Sequence, residues 1–151
     1  MDLAAILDAK RTEILQHATG ALGRAHLQHY ELSGSESSRH RLDDLFDVVA
    51  TSLKERTLEP ICRYSQTIAQ ERFDTGFTIG EVQTAFNVLE ESIWQVVIPH
   101  LPPSDLAEAT GLIGTVLGAG KDALARAWVS QATSEHVPSL DLAALFQGAA
   151  G

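Results

Sequence analysis

The chain has 151 residues, 44% of them hydrophobic and 21% charged, and a net charge of −9 at pH 7, which suits one domain with a core that needs no staples. That charge opposes a phosphate backbone and an anionic lipid surface alike, and the basic residues do not cluster, so neither nucleic acid nor membrane is an expected partner. The lone Cys62 excludes an internal disulfide framework, no apolar run approaches about 18 residues, and the N-terminus carries no basic-then-apolar leader, so the expected location is the cytoplasm.

Residues 3 to about 30 read as a long first helix. Leu3, Ile6, Leu7, Ile14, Leu15, Ala18, Leu22 and Ala25 form its thin apolar seam, weakened at Gly20 and Gly23, where a break is possible. The run Ser33 to Ser38 reads as a loop whose serines offer N-caps. A second helix then turns Leu42, Leu45, Phe46, Val49 and Leu53 inward and Asp43, Asp44 and Asp47 outward. Thr57 is the expected cap of a third helix, with Pro60 in its first turn, where a missing N–H costs little. Its inner face is Leu58, Ile61, Cys62, Ile68 and Phe73.

Between residues 70 and 82 one helix is told to stop and another to start. Gly76 suits the left-handed position that closes a helix, since it has no Cβ to clash there. Thr78 and Glu81 are spaced as a capping box, in which each side chain satisfies the other residue's free backbone donor. Ile79, Val82, Phe86, Leu89, Ile93, Val96 and Val97 then step by threes and fours along one face of a fourth helix. Pro99 to Pro103 stop it, and Ser104 is the expected cap of a fifth, running to about Thr133 through Leu106, Ile113, Val116, Leu117, Leu124, Ala127 and Trp128. Gly111, Gly114, Gly118 and Gly120 are costly there, and close approach of another helix is the physical reason to tolerate them. After Pro138, Ser139 heads a short last helix, Leu140 to Phe146. The expectation is an all-α fold: a helical domain over 1–135, of five main helices in a bundle or globin-like packing, and a linker or short helix over 136–151.

No catalytic constellation stands out, and the chain reads as a non-enzyme. His26 and His29, three apart, make half of a metal site that nothing completes; Glu13 and His17 lack the second Glu-x-x-His and the further glutamates of a di-iron bundle. His26 and His29, near a helix end, and His40 and His136 read as surface residues, and His100, between prolines just past a helix end, as a partner of free carbonyls. Neither cofactor nor metal is expected, although a haem or small-ligand sensor using His100 or His26 is the alternative. Cys62 reads as packed, and Glu90 and Glu91, like the three aspartates, as a solvated face. Phe73, Phe77, Phe86, Trp94 and Trp128 have two readings: core rings, or the lining of a small apolar pocket between helices.

The stretch Ala69-Gln70-Glu71-Arg72-Phe73-Asp74-Thr75-Gly76-Phe77-Thr78-Ile79-Gly80-Glu81-Val82, continued by Ala85-Phe86-Asn87-Val88-Leu89, resembles the N-terminal sensor domain of RsbR- and RsbRD-type bacterial stress-signalling (stressosome) proteins. The shared pattern is a charged helix end, a Gly-Phe corner, a Ser or Thr cap followed by an acidic residue, and an apolar helix. Outside the corner, helix order and hydrophobic rhythm extend the likeness from about Arg11 to Gln131. The resemblance implies a haem-free, globin-like input module that pairs as a homodimer and passes a signal to a protein partner. Such modules precede output domains, and this chain ends soon after helix five; it is expected to be a stand-alone member or a fragment. Part of the dimer interface is expected on the helix-one seam and the glycine-rich fifth helix.

Overall fold

A computed structural model describes residues 2–136. The expected helix at Leu140 to Phe146, and the expected linker from 137 on, lie outside them; the helix expected to end near Thr133 runs on to His136. Among the described residues the chain is all helix. Its seven α-helices are α1 (Leu3–Ala9), α2 (Arg11–Arg24), α3 (Gln28–Ser33), α4 (Ser35–Glu55), α5 (Glu59–Asp74), α6 (Ile79–Val97) and α7 (Leu106–His136), with 3-10 turns at Ile98–His100 and Pro103–Asp105. The helix α4 packs against every other α-helix; α5 runs against α7, and α2 against α6. The core lies where these faces meet, and Phe46, Phe86, Ile14, Leu89, Ile93 and Ile113 are among its fully buried side chains.

The expected first helix is three helices. Its seam does point inward, with Ile6, Leu7, Ile14, Leu15, Ala18 and Leu22 all buried. The chain nevertheless turns at Lys10, and again after Arg24, where His26 takes a left-handed φ of 51°. The second break falls just past Gly23, near the glycines as expected, although Gly20 and Gly23 themselves remain helical; the break at Lys10 was not expected. Both α1 and α2 pack on α4 and α6, so the break at Lys10 goes with packing rather than with local propensity. The seam is consumed by this chain's own core, and the expectation that it forms part of a dimer interface is withdrawn.

Three caps also differ from expectation. Gly34, at φ 86°, stands at the N-cap of α4 in place of a serine. Leu58, not Thr57, is the N-cap of α5. The Thr57 hydroxyl accepts only from Glu59 N–H at 3.3 Å, while Ser52, buried on α4, accepts from Ile61 N–H at 3.2 Å. A neighbouring helix thus supplies the acceptor for an orphaned first-turn donor. Ser104 lies inside a 3-10 turn ahead of α7. Leu58, assigned to the inner face, is 40% exposed.

The glycines of α7 separate into two kinds. A Cβ on Gly120 would sit 2.7 Å from Ile61 Cγ1 and 3.1 Å from Phe86 Cε2, the close approach expected of a helix crossing. Around Gly111, Gly114 and Gly118 there is open space among the described residues, so no crossing among them accounts for these glycines.

Candidate functional site

The corner between α5 and α6 is built as its residues dictate. Phe77 N–H donates to the Arg72 carbonyl at 3.0 Å and Gly76 N–H to the Phe73 carbonyl at 3.1 Å, with Gly76 at φ 89°. This pair of bonds about a left-handed glycine is the Schellman arrangement that satisfies the last carbonyls of a helix. One residue later the capping box is complete. Thr78 Oγ1 accepts from Glu81 N–H at 3.1 Å, and Glu81 Oε1 accepts from Thr78 N–H at 2.9 Å.

Glu81 does more than its spacing requires. Its Oε2 accepts from His29 N–H at 2.9 Å, and its Oε1 lies 2.7 Å from His29 Nδ1. His29 is the second residue of α3, so this N–H is one of the donors a helix start leaves without a partner. One carboxylate, only 7% exposed as a residue, therefore closes the starts of two helices distant in sequence. Burial pushes the Glu81 carboxyl up, but hydrogen bonds from Thr78 and His29 outweigh it and hold the group below the usual carboxylate range.

Phe77 joins this network to a second one. Its ring lies 5.1 Å from those of both His29 and Tyr30, and the Arg41 and Arg72 guanidinium carbons stand 5.0 and 5.8 Å from its centroid. Arg72 is buried, although it stands in a charged run. It continues the inward face of α5 through Ile61, Ser65 and Ile68. Its Nη1 reaches Glu71, whose side chain is exposed, while its Nε has no hydrogen-bond partner among the described residues. Arg41 Nη1 is buried and unpartnered in the same way. The two arginines share a cavity of about 10 Å³ with Tyr30, Tyr64, Ile68 and Phe86. Burial, then the charge of Arg72, pulls the Arg41 pKa down; burial pushes both Tyr30 and Tyr64 up, so both phenols keep their protons.

The five rings named from the sequence do not gather around one space. Phe73 meets Trp128 edge to face at 5.7 Å. Phe77 belongs to the His29–Tyr30–Arg41 group, and Phe86 lines the small cavity. Trp94 lies fifteen residues along α6 from Ile79, roughly 22 Å away at 1.5 Å per residue, and its indole Nε1 faces Glu90 at 3.5 Å.

Of the histidines, His17, His26, His40 and His100 are exposed. His26 pairs with Glu31 at 2.7 Å rather than with His29. His29, read as a surface residue, is three-quarters covered and bound to Glu81. Its tie spans 52 positions and leaves no mark in local spacing; the corner's own capping box was the only hint that Glu81 would be buried. Asp43 and Asp47, read as simply solvated, are both paired with Arg11. Cys62 is half-buried, its thiol facing the Ala119 carbonyl at 3.9 Å. Among the described residues, no cluster of three or more His, Cys, Asp or Glu side chains is arranged to hold a metal, and no helix is long and apolar enough to cross a membrane.

The structure defines an all-α domain with a polar knot buried at one corner. Comparison with protein-family models, curated proteins and solved structures gives no significant match to this chain.

Proposed function

We propose that this chain is a non-enzymatic sensor or regulatory signalling domain of the haem-free globin type, cytoplasmic, working as a homodimer in bacterial stress signalling. The observation that carries the reading is the corner at Arg72 to Val82. The residues that resemble the RsbR-type sensor domain are the ones that bind α3, α5 and α6 together through Glu81 and Phe77. A junction of three helices held by a few polar contacts has discrete alternative packings, and an input that favours one of them moves the helices as units.

The long α7 suits the task of passing such a shift to a second copy. Its 31 residues span about 46 Å. Gly111, Thr115, Gly118 and Val129 lie exposed along it, and open glycines allow close approach of a partner helix. The broken N-terminal helices no longer offer a comparable lever.

Sedimentation equilibrium tests the dimer. A twofold mass is expected, with dissociation on Gly118→Arg; a monomer at the highest concentration contradicts the proposal. Absorption spectra taken during a hemin titration test the haem-free assignment. No Soret shift is expected, and a saturable shift lost in His100→Ala or His26→Ala would replace this reading by the haem-sensor alternative.

A further inference from the structure

We propose that the cavity between Arg41 and Arg72 binds one small monovalent anion, either a free halide or the carboxylate of a small organic acid. Arg72 is 5% exposed and presents an unpartnered Nε; Arg41, from a different helix, presents an unpartnered buried Nη1. Both side chains line the same cavity, together with the hydroxyl-bearing Tyr30 and Tyr64. Leaving charged donors buried and unpaired is expensive. Glu71 offsets the charge of Arg72 from one side, but among the described residues neither Arg72 Nε nor Arg41 Nη1 has an acceptor. A water molecule would accept from them and leave the charge of Arg41 uncompensated, whereas an anion accepts and compensates it.

The acidic groups nearby do not fill this role. Glu71 meets Arg72 through Nη1 and its own side chain is 61% exposed. Glu81 is occupied by Thr78 and His29, and Asp44 is exposed on α4. A cavity of about 10 Å³ is the room one water-sized occupant needs. It takes a single atom of the occupant, a halide ion or one carboxylate oxygen, and is too small to enclose a tetrahedral sulfate or phosphate. An occupant would touch α3, α4, α5 and α6 at once, because Tyr30, Arg41, Tyr64 and Phe86 come from those four helices. The site goes beyond the signalling role and stands without it.

The test is thermal unfolding of the whole chain at fixed ionic strength, with sodium chloride or sodium formate replacing sodium gluconate. A saturable rise in Tm is expected, about 3 °C once the anion exceeds its Kd tenfold, and Arg41→Gln, at a partly exposed position, removes the dependence. A rise in chloride alone assigns a free halide; a rise in formate, with or without chloride, assigns a carboxylate. Excess broadening of the chlorine NMR line by the unmodified protein, displaced by formate, supports the site without any variant. Coincident melting curves in all three salts overturn the proposal, as does an equal rise in Arg41→Gln.

Discussion

The corner from Arg72 to Val82 and the N-terminal stretch from Leu3 to Ser33 are governed by different physics. At the corner every backbone bond is local: a glycine with positive φ, a carbonyl reached five residues back, a threonine and a glutamate three apart. In the N-terminal stretch the helix breaks fall at Lys10, a residue with no breaking tendency of its own, and beyond Arg24, just past Gly23. The corner would turn in much the same way in any helical protein. The N-terminal helices take their course over α4 and α6, which they cover.

Four substitutions break or sharpen that contrast. Phe86→Ala has the largest expected effect, a loss of about 3–5 kcal/mol by urea unfolding, since Phe86 is 1% exposed where α6 meets the core. A midpoint within error of the parent would mean that this face does not carry the packing. Glu81→Gln follows, at about 2–3 kcal/mol near neutrality, because an amide cannot accept all the bonds the carboxylate accepts.

The Glu81 effect has a pH signature. Its folded pKa is depressed, so its contribution is complete above the unfolded value and is lost as pH falls through the folded one. The parent should therefore lose stability steeply below about pH 4, and Glu81→Gln should be flatter there; parallel profiles would show that the carboxylate is not bound as described. Gly120→Ala is expected to cost about 1–3 kcal/mol by overpacking against Ile61 and Phe86. Gly118→Ala, where a Cβ meets nothing among the described residues, should gain up to about 1 kcal/mol. Equal effects from these two would remove the distinction between crossing and open glycines. In a dimer that uses this face of α7, the Gly118→Ala gain would instead appear as a loss of association.

The same contrast explains what could be read in advance. The all-α class and the inward faces of α4, α6 and α7 were legible because residues such as Leu42, Phe86 and Leu117 repeat at helical spacing over many turns. The Gly76 and Thr78–Glu81 punctuation was legible because each element acts within a few residues. The three-way split of the first helix was not, since nothing at Lys10 announces it. The His29–Glu81 tie and the burial of Arg41 and Arg72 were invisible for a related reason: each depends on a partner from another helix. Arg72 left one trace, its register with Ile61 and Ile68 on α5, but a charged side chain on that face is ordinarily read as a helix end. Of the two readings of the aromatic residues, core rings fit the structure: Phe77, Phe86 and Trp128 are buried, and Phe73 and Trp94 pack against the core. Closeness in sequence suggested one pocket for Phe77, Phe86 and Trp94, while the length of α6 carries Trp94 away from the other two.

The central claim is that Glu81 fastens α3 to the α5–α6 corner, so that the N-terminal helices and the corner respond together. Hydrogen exchange on Glu81→Gln, compared with the parent at neutral pH, tests it most directly. The account predicts that amides of His29 to Ser33 lose protection by roughly ten- to a hundredfold, as a loss of about 1.4–2.7 kcal/mol would give, and that the core amides of α6 that open only with the whole chain fall by a matching factor. Unchanged protection across α3 while the slowest α6 amides lose theirs would contradict it.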